Sequence, residues 1–297
     1  MWNLKEIRNR IVSVKSTQQI TRAMKMVSAA KLKKATDAIV RIRPYSYKLK
    51  EVIETLADSI DDLNSNPFYD RRPELKVLLI PVTSDKGLCG SYNTNIIRET
   101  QRQLNLYKTR KDKRAKLDLL CVGKKGAEYF KKHGYNIIQS YTNMTVHTKY
   151  ETIDEIATWV LEEFRLKEYD VVKFIYNTFK NAAVYYTTLE KFLQIETEPY
   201  KKKSFKDTTV NNFIFEPTEE EIISELIPTS LKVNFFRVVL ESIASEHGAR
   251  MTAMDNATEN AEELIGDLLL GYNKARQASI TNEILEIVGG ANALREG

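Results

Sequence analysis

From Leu231 to about Val288 the chain runs nearly 60 residues without a proline. Along it, Leu240, Ile243, His247, Arg250, Met254, Ala257, Ala261, Leu264, Leu268, Gly271, Ala275, Ala278, Asn282 and Leu285 follow one another at spacings of 3 and 4. That spacing puts them on one face of a single helix. At 1.5 Å per residue the helix is ~85–90 Å long, whereas globular helices average about 11–12 residues. It cannot be enclosed by a compact fold, and its narrow seam predicts a second helix as its partner. Many seam residues are small, so the partner can approach closely, and several are polar. "EPTEEE" (Glu216–Glu221) reads as the start, with Pro217 in the first turn and acids at the positive end of the dipole. Pro228 predicts an early break or kink, and Gly289–Gly290 a stop.

The partner stands at the other end of the chain. Leu4, Ile7, Ile11, Val14, Ile20, Met24, Val27, Leu32, Ala35, Ile39 and Ile42 form a similar stripe, resumed by Leu49, Val52, Leu56, Ile60 and Leu63. Pro44 marks a candidate kink, and "NSNP" and "RRP" close the region. Charge supports the pairing. Residues 1–50 carry 13 Lys/Arg and two acids, while residues 216–297 carry six Lys/Arg and 15 Asp/Glu. Two helices that flank one domain project from it antiparallel, the basic one beside the acidic one. The acids expected along the contact include Glu246, Asp255, Glu259, Glu262, Glu263 and Asp267. Exposed ion pairs are worth only ~0.2–1 kcal/mol each, so they set register more than stability.

Between the helices the pattern alternates. "LKVLLIPVTS" (Leu75–Ser84), "AKLDLLCVG" (Ala115–Gly123) and "VVKFIYNTF" (Val171–Phe179) read as buried strands, and "NIIQSYT" (Asn136–Thr142) as a weaker one. Helical patterns lie at about Tyr92–Tyr107, Lys124–His133 and Thr152–Leu166, and Ala182–Glu196 adds an edge strand or hairpin. The alternation predicts a largely parallel α/β sheet. The expected organisation is an N-terminal coiled-coil helix over 1–66, an α/β domain over 74–200, and a C-terminal coiled-coil helix over 216–289. In class terms this is α+β or α/β, a long antiparallel coiled coil with a central Rossmann-like domain.

Little in the chain looks like catalytic chemistry. Two cysteines, Cys89 and Cys121, form no framework, and His133, His147 and His247 are too scattered for metal ligands. No apolar run reaches the ~20 residues of a spanning helix, and the N-terminus reads as no signal peptide. "TSDKGLCGSYNTN" (Thr83–Asn95) joins a strand to a helix, but it is neither a P-loop nor a dinucleotide fingerprint. It reads as a turn with Asp85 and Asn93 as caps, and "GKKG" (Gly123–Gly126) as a strand–helix junction. "NLYKTRKDKRAK" (Asn105–Lys116) reads as a solvated basic loop, with acidic lipid head groups or a partner as the other reading. Ser13–Ala35 holds six bases and no acid. Nucleic acid would suit that charge, but the stretch has few aromatics, and an acidic companion helix would repel phosphates. Ser28, Ala29, Ala30 and Ala35 are too small for firm membrane insertion.

The two ends and the central turn resemble one family. "IRNRIVSVKSTQQITRAMKMVSAAKL", "ESIASEHGARMTAMDNATENAEELI" and "YNKARQASITNEILEIVGGANAL" resemble the terminal helices of the γ subunits of F-type ATP synthases, and "SDKGLCGSYNTN" resembles their central-domain signature. Lys86 and Ser91 depart from the commoner arginine and glycine. No redox cysteine pair of the chloroplast kind interrupts the chain, so the resemblance is to bacterial members. It implies a rotor shaft standing in the bore of an α3β3 hexamer, with the α/β domain and the ε subunit on the membrane ring of c subunits. Ion flow, of protons or sodium, would turn the ring and drive ATP synthesis at the β sites. This chain would bind no nucleotide and no nucleic acid, hold no cofactor or metal, and supply no catalytic group. It would sit as a peripheral subunit on the cytoplasmic face of a bacterial membrane. The resemblance also assigns Arg276 and Gln277 to β-subunit loops, with Thr281 near them. Met24 and Lys25 would face an acidic β-subunit loop. The competing readings are a coiled-coil nucleic-acid protein and an enzyme built on Gly87–Gly90.

Overall fold

The computed structural model describes residues 4–57, 66–70, 72–109, 115–144, 150–182, 184–195 and 218–293. Ile60 and Leu63 of the first stripe, the middle of the basic loop at 110–114, His147 and Pro217 lie outside these residues. In chain order the elements are α1 (Leu4–Ala57), β1 (Lys76–Pro81), α2 (Tyr92–Thr109), β2 (Lys116–Val122), α3 (Lys124–Lys132), β3 (Ile137–Tyr141), α4 (Tyr150–Arg165), β4 (Val171–Phe179), β5 (Tyr185–Leu193) and α5 (Glu219–Ala293). They fall into two compact units, Ala29–Ala249 on the one hand and Met1–Ser28 with Arg250–Gly297 on the other.

The first unit is built on a five-stranded sheet of order β3-β2-β1-β4-β5. The four pairs from β3 to β5 are parallel except the last, where β5 runs antiparallel to β4 and forms the edge strand read from Ala182–Glu196. β1 reads KVLLIP and is buried along nearly its whole length, because helices cover both faces of a parallel sheet. α2 turns Tyr92, Ile96, Leu104 and Tyr107 inward, and α4 turns Ile153, Ile156, Val160 and Phe164 inward, each set at helical spacing. The chain leaves β1 toward β2 and β3, then returns through α4 to β4 on the other side. The strand order therefore reverses between β1 and β4. In open α/β sheets that reversal opens a crevice at the carboxyl ends of the strands.

α5 closes this unit. From Val238 to Ala249 every residue is buried, although the stretch includes Glu241, Ser242, Ser245, Glu246 and His247. Of the break or kink expected at Pro228, there is no break: the helix runs continuously through it. Proline removes one helical hydrogen bond, but Ile223, Ile227 and Leu231 around it are 3%, 1% and 7% exposed. Their burial offsets a cost of about 3 kcal/mol. Pro44 likewise sits inside α1. At the far end the helix continues through Gly289–Gly290 to Ala293. Each glycine costs about 1 kcal/mol in a helix interior, too little to terminate it here.

The second unit is a pair of helical segments. Thr21 Oγ1 lies 2.8 Å from Thr258 Oγ1, and the Lys25 ammonium donates to Asp255. Going forward from Thr21 to Lys25 goes back from Thr258 to Asp255, so the segments are antiparallel. The seam of α1 differs from the expected one. Ile20 and Val27 are 60% and 57% exposed, while Thr21 and Ser28 are buried. Ile7, Ile11, Thr21 and Ser28 keep the 3/4 spacing; the apolar neighbours lie one residue off it. A small side chain with a local acceptor suits a close helix contact better than a larger apolar one, and Thr21 Oγ1 has Gln18 O at 3.0 Å.

Candidate interaction surfaces

The signature turn after β1 is tied down by its own side chains. Asn93 Oδ1 accepts the Ser84 N–H at 3.0 Å, and Asn93 Nδ2 donates to Ser84 Oγ at 2.7 Å. Asp85 Oδ1 accepts the N–H groups of Lys124 at 3.1 Å and Asn143 at 2.9 Å. It thereby serves the first turn of α3, whose dipole favours a carboxylate there. Gly123 precedes α3 at φ +97, and a Cβ on it would lie 2.0 Å from Thr83 O. Gly126 is similarly close to the Thr83 side chain, whose Oγ1 accepts the Gly126 N–H at 2.9 Å. "GKKG" is a close-packed junction between β2 and α3.

The crevice beside this turn is already filled. Ser242 Oγ donates to Val82 O at 3.3 Å and lies 2.5 Å from the Tyr92 hydroxyl. Ser245 Oγ donates to Asn177 O at 2.8 Å. Gly248 faces the carbonyl of Ala182, which would lie 2.9 Å from any Cβ placed there. α5 therefore occupies the place where α/β sheets take a nucleotide or other ligand.

The sheet unit also carries a part-buried polar cluster. Arg237 makes a two-oxygen contact to Glu190 at 2.8 and 3.0 Å and reaches Glu241 at 3.0 Å. Tyr176 donates to Glu190 at 2.6 Å. Burial and the Glu190 charge push the Tyr176 phenol above its ordinary range. Burial alone pushes the Cys121 thiol up to about 12, so the thiolate is absent at neutral pH. Among the described residues no group of three or more His, Cys, Asp or Glu is placed to hold a metal ion. None of the described helices is long and apolar enough to cross a membrane.

The helix-pair unit carries exposed apolar residues near the end of α5. Carrying the Thr21–Thr258 register back to Leu4 brings α5 to about residue 275. Beyond that point α5 runs past the first described residue of α1. There Ala278, Asn282 and Leu285 of the seam read from sequence are exposed, and Leu264 and Gly271 are exposed already before that point. Ile280, Ile284, Leu285, Ile287 and Val288 are each at least 47% exposed. A helix end apolar on several sides is the mark of a contact surface.

The five candidate contact residues fall in two places on this unit. Arg276, Gln277 and Thr281 share an exposed stretch of α5, with Thr281 Oγ1 donating back to Gln277 O at 2.9 Å. Met24 and Lys25 are half-buried, opposite Asp255. Asp255 and Arg276 are 21 positions apart in one helix, so the two groups are about 30 Å apart. Asp255 is one of the acids that the sequence places along the contact with the basic helix, and the structure pairs it with Lys25.

A sequence model of the family described as ATP synthase matches residues 3–294. An ATP synthase gamma chain of Cytophaga hutchinsonii is 47% identical over 299 residues, covering 99% of each chain. One of Christiangramia forsetii is 48% identical over 295 residues, again covering 99% of each. Among solved structures, a chain from the central stalk and c-ring of the Tetrahymena thermophila mitochondrial ATP synthase matches with a TM-score of 0.60 and 29% identity, over 80% of this chain and 99% of that one. A chain of the Euglena gracilis mitochondrial ATP synthase shares the fold at a TM-score of 0.67 and 23% identity, over 99% and 95%. With a match over nearly its whole length to the family and to full-length gamma chains, the chain belongs to the ATP synthase family, among its gamma chains.

Proposed function

We propose that this chain is the central shaft of an ATP synthase, turned by ion flow through a membrane ring of c subunits and driving the β-subunit sites of an α3β3 hexamer. The observation that carries the reading is the end of α5, which continues past the start of α1 with its apolar side chains exposed. A single helix tip of this kind needs a surrounding sleeve, and a hexamer bore supplies one. In this reading the sheet unit rests, with the ε subunit, on the c-ring. In support, the similar Tetrahymena chain belongs to a central stalk and c-ring assembly. The chain contributes no catalytic group: α5 occupies the crevice a ligand would use, and nucleotide chemistry belongs to the α and β subunits. It is held at the cytoplasmic face of a bacterial membrane by its complex rather than by a span of its own.

Within this reading, Arg276 and Gln277 bond β-subunit loops, with Thr281 beside them. Met24 and Lys25 form a second contact level, about 30 Å away along the helix. Arg276 is exposed and free to meet an acceptor, whereas Lys25 shares its charge with Asp255. Arg276 is therefore the stronger candidate. The test is to mix the purified chain with the α and β subunits of its source and assay Mg-ATP hydrolysis. One copy should elute with three αβ pairs, and Arg276→Ala should lower coupled turnover about tenfold, as expected for one lost charge-assisted hydrogen bond. Failure to assemble at low and moderate salt would contradict the proposal.

A further inference from the structure

The signature turn has no role in that account beyond shaping the chain, yet its helix carries a buried hydroxyl aimed at α5. Tyr92 is 1% exposed, and its hydroxyl lies 2.5 Å from Ser242 Oγ and 3.1 Å from Ser242 O. Each hydroxyl has one proton. Both hydroxyls also reach Val82 O at the carboxyl end of β1, Ser242 Oγ at 3.3 Å and Tyr92 at 3.4 Å, so either can donate to that carbonyl while accepting from the other. One turn further on, Ser245 bonds Asn177 O near the end of β4. Asn177 is fully buried and donates through Nδ2 to Tyr92 O at 3.2 Å, while Thr187 of β5 donates to its Oδ1 at 2.7 Å. One turn beyond Ser245, Gly248 admits the Ala182 carbonyl to a distance no side chain would allow.

We infer that these groups form a torque latch, in which Tyr92 of α2 and Asn177 of β4 hold Ser242 and Ser245 of α5, with Gly248 seated on Ala182, so that turning the sheet unit turns the helix. The inference rests on the shaft reading. Its physical basis is directionality. Apolar packing is non-directional and resists the slip of a smooth helix weakly. Hydrogen bonds weaken steeply as their angles change, and water is excluded from these, so no solvent partner replaces them during a slip. The three contacts on α5 lie 3 residues apart, at 242, 245 and 248, on one face toward the sheet. The crevice used elsewhere for ligands serves here as a socket for the chain's own helix.

The test uses the whole complex in membrane vesicles, with Tyr92→Phe, Ser242→Ala, the two combined, and Gly248→Ala. Two rates are read from each: ATP hydrolysis, and ion transport per ATP hydrolysed. The latch predicts that assembly and hydrolysis persist while transport per ATP falls to roughly a fifth in the combined variant. A merely structural role would lower assembly and both rates in proportion, leaving the ratio unchanged, and that result overturns the inference. If Gly248→Ala does not assemble, Tyr92→Phe, which removes a single oxygen, decides the matter by the same ratio. Failure of the unaltered chain to couple at all would instead overturn the shaft reading.

Discussion

Gly123 shows how a residue can be visible in sequence while its reason is hidden. "GKKG" was readable as a junction; the approach of the Thr83 carbonyl to 2.0 Å from a would-be Cβ was not. Because φ is also positive there, Gly123→Ala should destabilise the sheet unit by about 3 kcal/mol or more, measured by urea unfolding. Equal stability in the variant would contradict the geometry. The buried acids at this scale point to alkaline pH. Cys121, Tyr169 and Tyr176 all hold their protons more tightly when folded, chiefly because burial disfavours the charged form. Their contribution is complete below the unfolded values, 9.0 for the thiol, and is lost as pH rises toward the folded ones. The unfolded chain then binds fewer protons, so stability falls with pH. The urea midpoint should drop between about pH 9 and 12, and Tyr176→Phe should flatten the drop. A midpoint that rises over this range would contradict the assignment.

At the scale of elements, periodicity was the readable part. Strands and helices of the sheet unit appear within a few residues of where the pattern put them, because each buries one side at a regular spacing. Where the reading went wrong, it went wrong through residue identity. Ile20 and Val27 looked like seam because they are apolar, yet Thr21 and Ser28 hold the buried positions at the correct spacing. Gly289–Gly290 looked like a stop, yet α5 passes through both. A Cβ on either would meet nothing within 4 Å. Gly289→Ala with Gly290→Ala should therefore stabilise the helix tip by about 1 kcal/mol per site, seen as slower amide exchange over the last turns. Unchanged exchange would place the helix end before the glycines.

At the scale of the molecule, opposite net charges at the two ends were visible in composition, and one specific pair, Lys25 with Asp255, realises them. The proposed contact residues were named only through family resemblance, since a surface that is exposed in the isolated chain leaves no periodic trace of what covers it. The central claim is that this chain turns inside its hexamer, and rotation tests that most directly. Cys89 and Cys121 are both buried, so a cysteine introduced at the exposed Lys132 would be the reactive one. A bead attached there through Lys132→Cys, on a complex with the chain's own α and β subunits fixed to glass, should turn in one direction on adding Mg-ATP, pausing three times per revolution. A bead that stays still while the same complex hydrolyses ATP would contradict the account.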